Sequence, residues 1–307
     1  MSFELLVRTA HRLQASVEAL AALGAELRIR REGLPADPQI VRRLQDVFCA
    51  LDPSLLDGMS VEQEETALAV IQSAVGQAVA LLEDPSRALG WSYDDPAVLQ
   101  GQGQASRRFV RAINALASRR PDLQRTLHER GAFLDVGTGV GWLAIEAARA
   151  WPSLRCVGID VWEPALRLAR ANLAGAGMEE RVELRAQGVE ELEEESAFTL
   201  AWLPAVFVPL DVVPAALKNL RKALTPGGWL VFSVLGALPD RLSEALAALK
   251  VTRNGAHPWT PAEAEEQLRR LGLEQVETFS PDPMTVIIVG RKAGGQQEQP
   301  VPSKEKK

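Results

Sequence analysis

The chain has 307 residues, 47% of them hydrophobic, and a formal net charge of −6. That is enough for one large domain or two smaller ones. The acidic balance, with basic residues scattered in short clusters such as Arg28, Arg30 and Arg31 or Arg107, Arg108 and Arg111, argues against a nucleic-acid grip built on phosphates. The two cysteines, Cys49 and Cys156, lie far apart and lack metal-ligand spacing, which excludes a disulfide framework and points to a reducing cytosol. Glu4, Arg8 and Arg12 interrupt the first apolar residues, unlike a signal peptide, and no run is expected to reach the roughly 20 apolar residues that span a bilayer.

Residues 1–90 read as an all-helical domain. Leu6, Leu13, Val17, Leu20 and Leu27 recur at helical spacing, and residues 60–82 are rich in Ala, Leu and Val. Asp37-Pro38, Asp52-Pro53, Asp84-Pro85 and Asp95-Pro96 each predict a helix start, with Asp as cap and Pro at the first helical position. Residues 91–130 read as a connector whose helix, over 96–119, lies before the first strand.

The pattern then changes to alternation. Strands are expected over 132–136, 154–160, 181–185, 198–203 and 229–235, with helices over 142–150, 164–174 and 213–223 between them. Thr225-Pro226-Gly227-Gly228 reads as a tight turn into the fifth strand, and Thr260-Pro261-Ala262-Glu263 as a capping box opening a helix to about Leu271. Strands over 274–279 and 284–291, joined by 280–283, close the domain as a hairpin. Alternating strand and helix implies a largely parallel sheet covered on both faces, an α/β domain over 131–293. The polar tail, 294–307, is expected to be disordered.

The sharpest motif is Asp135-Val-Gly137-Thr138-Gly139-Val-Gly141, between a strand and a helix. Glycines there allow positive φ and close backbone approach to a ligand. A dinucleotide fingerprint would need glycine where Trp142 stands, and no Gly-Lys-Ser/Thr follows, so neither a pyrophosphate loop nor a P-loop fits. Asp160 ends the second strand, nineteen residues past Gly141, where a carboxylate accepts ribose hydroxyls.

With the Leu224-Thr225-Pro226-Gly227-Gly228-Trp229 turn and the terminal strand pair, these residues make 133–291 resemble the class I S-adenosylmethionine-dependent methyltransferases. The resemblance covers about half of the chain. It implies a Rossmann-like seven-stranded sheet of order 3-2-1-4-5-7-6 with strand seven antiparallel, and S-adenosyl-L-methionine as cofactor. It further implies that Asp135, Gly137, Thr138, Gly139 and Gly141 line the methionine end, that Asp160 takes the ribose, and that Val161 and Trp162 pack near the adenine. The family often has an acid after strand three; here Gln187-Gly188 stands instead, and either the Gln187 amide oxygen or a backbone carbonyl would serve. The run Glu190, Glu191, Glu193, Glu194 and Glu195 reads as a solvated face.

Methyl transfer asks mainly for alignment and exclusion of water. Strand four ends in Trp202-Leu203-Pro204-Ala205-Val206-Phe207, without the Asn/Asp-Pro-Pro-Tyr/Phe motif that marks amino-group methylation of bases or glutamine in the family. Trp202, Leu203 and Phe207 are candidate acceptor contacts or core packing, and Asp211 is a weaker polar candidate. His257, in a loop before the capped helix, is a candidate base or a surface histidine. Tyr93 is a candidate partner for acceptor or carboxylate, Gln104 for the methionine end; both also read as packing between helical and sheet domains. Three functions stay open: O- or N-methylation of a small molecule, methylation of protein or RNA, and cofactor binding without transfer. The N-terminal helices are expected to shape the acceptor pocket, pair subunits as a homodimer, or both, and ordinary packing onto the catalytic domain explains them equally well.

Overall fold

The computed structural model describes residues 2–294 apart from 237, 283 and 284; the expected disordered tail and the expected strand start at Met284 lie outside the described residues. Three helices open the chain: α1 (Ser2–Glu32), α2 (Pro38–Leu51) and α3 (Val61–Glu83). Asp37 caps α2 by accepting from the Gln39 N–H, and Ser60 with Gln63 forms a full capping box on α3. Asp52 and Asp84 do not start helices. They end α2 and α3, and Asp52 instead accepts from the backbone and hydroxyl of Ser54 in a turn. The helical spacing on α1 is right but its burial is not: Leu27 is buried, whereas Leu6 is 66% and Val17 65% exposed. Contrary to expectation, α3 is long and apolar enough by composition to cross a membrane. Here it packs on α1 and on α4 (Pro96–Ser106), where a β-carbon at Gly101 would lie 2.0 Å from the Ala69 carbonyl oxygen.

The helix expected over 96–119 divides at Arg107 into α4 and α5 (Arg108–Ala117). The backbone ladder tightens there, Arg107 N–H bonding Gln104 O and Val110 N–H bonding Arg107 O, while the Ser106 hydroxyl takes the Gly103 carbonyl at 2.6 Å. Helix α6 (Pro121–His128), not expected from the sequence, leads into the sheet.

The sheet holds β1 (Gly131–Val136), β2 (Leu154–Asp160), β3 (Val182–Ala186), β4 (Phe198–Pro204), β5 (Leu224–Val234), β6 (Leu273–Asp282) and β7 (Thr285–Lys292). Their order is β3-β2-β1-β4-β5-β7-β6, as expected, with β7 antiparallel to both neighbours. The Thr225–Gly228 turn is absorbed into β5 as an irregularity: Phe198 pairs Leu224, then Leu200 pairs Trp229. The intervening helices are α7 (Trp142–Ala150), α8 (Glu163–Ala176), α9 (Val213–Ala223), α10 (Arg241–Arg253) and α11 (Pro261–Arg270); α10 was not read from the sequence.

Two apolar layers sandwich the sheet. Ala132, Leu134 and Val136 of β1 join one with α9 and α11; Phe133 joins the other with α5, α6 and α7. The alternation is the pleat of a strand buried on both faces. Loops at the carboxyl ends of β1, β2 and β4 are thereby brought to one rim, beneath residues 91–106.

Candidate cofactor and acceptor site

The turn after β1 is built by glycine. Gly137, Gly139 and Gly141 have φ of +63°, +56° and +80°, backbone that side chains rarely tolerate. At Gly139 a β-carbon would have no neighbour nearer than 3.9 Å, so the backbone lies open on that side.

Asp135 lies under this turn instead of lining it. It is 1% exposed, its Oδ2 accepts from the Thr138 hydroxyl at 2.8 Å, and its carboxylate also accepts from the Ala144 N–H. Gly141 gives α7 no side-chain cap, so Asp135 satisfies the first turn of that helix from the neighbouring strand. Burial pushes its pKa up to about 7, the charge of Asp160 adds to the rise, and the two hydrogen bonds hold it back. Thr138 likewise faces inward: its N–H donates to Ile159 O at 3.0 Å, and it fills the space above Gly158. Both residues shape the loop that the sequence assigned to the methionine end, and neither lines it.

Asp160 closes the crevice floor. Its Oδ2 accepts from the Gly139 N–H at 2.7 Å and its Oδ1 from the Trp162 N–H at 2.8 Å. Burial raises its pKa; bonds from the backbone of Trp162, Gly139 and Val161 oppose the rise. A carboxylate has about four lone-pair sites, so acceptor capacity remains for hydroxyl donors. Val161, immediately after it, is an aliphatic side chain 72% exposed on the lip. Gln187 donates its N–H to Asp160 O, and its side-chain amide donates to Glu191 O at 3.1 Å, which leaves its Oε1 as an acceptor beside Gly188. That is the atom an adenine amino group would need.

A strap from the N-terminal region roofs the crevice. Trp142 donates its indole N–H to Gln100 Oε1 at 2.7 Å; Gln100 and Asn172 exchange amide bonds, and Asn172 donates to Val140 O at 2.8 Å. Gly103 is pressed so close that a β-carbon would lie 2.2 Å from Val140 Cγ2. Gln104, beside it, accepts from Arg107, which also bridges to Glu146 and Glu62. Trp162 donates its indole N–H to Tyr93 O at 2.6 Å, and Trp91 meets Phe207 edge-on at 5.3 Å. Residues 91–106 thus touch the loops after β1, β2 and β4. Gln100 and Asn172 were not singled out from sequence, being 72 positions apart with no motif around either.

Other candidates separate. Trp202 is buried against Phe109 in one core layer and Leu203 is buried in the other, so neither reaches the acceptor side; only Phe207 stands at the rim. Asp211 is exposed beyond it. His257 meets Trp259 edge-on at 4.7 Å and lies 3.8 Å from Glu263, both in its own loop and helix, so its described contacts do not reach the glycine turn. Tyr93 is buried between Trp91 and Arg87.

Residues 133–228 match the sequence family described as a methyltransferase domain. Among curated relatives, the malonyl-[acyl-carrier protein] O-methyltransferase of Halalkalibacterium halodurans is 28% identical over 138 residues, 44% of this chain and 48% of that protein. The ribosomal protein L11 methyltransferase of Sorangium cellulosum is 32% identical over 146 residues, 47% of this chain and 43% of that protein. The chain therefore spans about half the length of the curated relatives it matches. Among solved structures, human N-acetylserotonin methyltransferase in complex with SAM has a TM-score of 0.62 at 15% identity, covering 95% of this chain and 98% of that one. The shared fold includes the N-terminal helices as well as the seven-stranded sheet.

Proposed function

We propose that the protein is an S-adenosyl-L-methionine-dependent methyltransferase acting on the oxygen or nitrogen of a small-molecule acceptor in the cytosol. The observation that carries the reading is Asp160: a buried carboxylate tied to Gly139 across the mouth of a glycine turn, with acceptor capacity left over. The cofactor fits the residues present. Gly139 leaves room against the backbone, Asp160 would accept ribose hydroxyls, Val161 would cover an adenine face and Gln187 Oε1 would accept from its amino group. When bound, the cofactor supplies a methyl group on an electrophilic sulfonium.

The chain's own contribution is placement and dryness. The strap over 91–106 and Phe207 would hold the acceptor against the crevice and keep water out. No histidine is brought to the rim among the described residues: His11 and His128 are exposed on α1 and α6, and His257 pairs with Glu263. Rate enhancement on this reading comes from alignment, without a dedicated histidine base.

The test is calorimetric titration of the protein with S-adenosylhomocysteine, followed by incubation with methyl-labelled donor and a metabolite extract read by mass. Absence of any binding would end the methyltransferase reading. The curated relatives include proteins named for ribosomal protein and ribosomal RNA methylation, so label entering ribosomes in a parallel arm would favour a macromolecular acceptor. Binding without label in either arm would leave a cofactor-binding protein. We also propose a homodimer that covers the exposed apolar side chains of α1, among them Phe3, Leu6 and Val17; sedimentation at a monomer mass would overturn it.

A further inference from the structure

Arg87 lies in the linker between α3 and α4. Its guanidinium stacks on the Tyr93 ring at 4.3 Å. Tyr93 in turn meets Trp91 edge-on at 4.9 Å, and Trp91 meets Phe207. The cation is thus the end member of an aromatic row that runs to the rim of the crevice.

Two of its donors, Nε and Nη2, are shut off from solvent and have no hydrogen-bond partner. Leaving donors of a charged group buried and unpaired costs more than the ordinary few kcal/mol or less for a neutral one. The two are not an arbitrary pair. Nε–H and Nη2–H point the same way along one edge of the planar fork, the edge that takes both oxygens of a carboxylate in parallel. The π-stacked face is occupied by Tyr93, which fixes the plane and leaves that edge as the productive direction.

The guanidinium is carried by a segment without regular structure. The linker over 84–95 holds no helix or strand, Gly90 within it has φ of +130°, and Gly90 is tied to Arg253 O at the end of α10 by one backbone bond of 2.9 Å. The same segment carries the Tyr93 carbonyl that Trp162 holds, so the linker is fastened to the crevice at Tyr93 and to the end of α10 at Gly90.

We propose that Arg87 is a specificity-determining residue that binds the carboxylate of an aromatic acceptor side-on, with Trp91, Tyr93 and Phe207 as the walls for its ring. This rests on the methyltransferase reading above and names the acceptor class within it: planar hydroxy- or amino-arenes carrying a carboxylate. The methyl-accepting atom would lie toward Phe207 and the glycine turn, and the carboxylate would lie toward the linker.

The test uses the full chain saturated with S-adenosylhomocysteine and pairs of probes differing only at the anion: 2-hydroxybenzoate against 2-hydroxybenzamide, 4-hydroxybenzoate against 4-hydroxybenzamide, and 2-aminobenzoate against 2-aminobenzamide. Tryptophan fluorescence reads binding. At least one carboxylate is expected to bind about 10- to 100-fold more tightly than its amide, the range for a charge-assisted bidentate pair. Arg87→Met should remove the discrimination, and Arg87→Lys should restore part of it, because the charge returns without the fork. S-adenosylhomocysteine affinity, measured on each variant, shows that the crevice is intact. Equal affinity for every carboxylate and its amide in the wild type overturns the proposal, as does discrimination that survives Arg87→Met. A more than tenfold loss of S-adenosylhomocysteine affinity in Arg87→Met with the fold intact would assign the guanidinium to the cofactor's carboxylate and overturn the acceptor assignment. No S-adenosylhomocysteine binding by the wild type would strike at the methyltransferase reading itself.

Discussion

The helices α1 to α3 and the seven-stranded sheet are similarly rich in aliphatic residues, yet they use them differently. In β1, β4 and β5 nearly every side chain is buried. In α1 only Glu26 and Leu27 are buried, in α2 only Phe48, and in α3 only Ser73 and Gln77. α1 and α3 hold each other by ion pairs such as Arg31 with Glu65 and Arg30 with Glu64 and by close approach at Gly24, where a β-carbon would lie 3.0 Å from Ile71 Cγ2; α3 in turn meets α4 at Gly101. Each pair keeps one partner in solvent, and surface pairs contribute at most about 1 kcal/mol each, whereas full burial of a large aliphatic side chain contributes roughly 1.5–3 kcal/mol. The sheet is therefore the rigid half, and the helices are the half whose position is held weakly.

The comparison breaks most readily at Asp160, where the rigid half meets the ligand. Asp160→Ala is expected to reduce S-adenosylhomocysteine affinity by about 100-fold or more, since charge-assisted bonds contribute roughly 1.5–3 kcal/mol each, while circular dichroism stays native. Calorimetry showing unchanged affinity would remove the ribose assignment.

A second lever tests the rigid half alone. The Asp135 carboxyl titrates near 7 in the fold against 3.8 for the free side chain, so the folded state binds the extra proton between those values. Stability is full below about 3.8 on this account and is lost as pH rises through 7. The loss is at most about 4 kcal/mol at 1.36 kcal/mol per unit. Urea melts from pH 5 to 8 should show this slope, and Asp135→Asn should flatten it. A wild type equally stable across the range would contradict the raised titration of this buried carboxyl.

A third change addresses the weak half. Gly101→Ala places a β-carbon against the Ala69 carbonyl and should cost about 1–3 kcal/mol, the usual range for overpacking. The cost should fall on the α3–α4 contact. Hydrogen exchange should accelerate in α1 to α3 and stay unchanged in β1 and β4; uniform acceleration would mean that the two halves unfold together. The smallest effect is expected from His257→Ala, whose contacts are Trp259 and Glu263: a stability change under about 0.5 kcal/mol and unaltered turnover. A large fall in turnover would bring this histidine back as a base.

The sheet was legible because its signals are local. Apolar runs ending in glycine or aspartate gave β1 and β2 within a residue, and the strand order came with the family resemblance that the glycine turn, Asp160 and the terminal pair carry. The helices were less legible because periodicity marks a face without saying what covers it: Leu6, Leu13 and Val17 carry the pattern and remain exposed. Asp-Pro pairs carry a similar ambiguity, since an aspartate that caps a helix start also ends one, as Asp52 and Asp84 do. In the crevice, Gly137, Gly139 and Asp160 were readable from spacing. The inward turn of Asp135 and Thr138 was not, because strand parity decides it, and Asp135 shares the face of Phe133 that packs on α7. The Gln100–Trp142–Asn172 bonds were beyond reach, being assembled from three segments.

The fit of Thr138 over Gly158 has a consequence for how this sequence can change over time. A β-carbon at 158 would lie 2.6 Å from the Thr138 hydroxyl oxygen and 2.9 Å from its β-carbon, so no side chain enters at 158 while threonine stands at 138. Shrinking 138 first would free the space but release the hydroxyl that engages Asp135. The two positions are bound to drift together or not at all, and lineages that differ at one should carry the mark at the other.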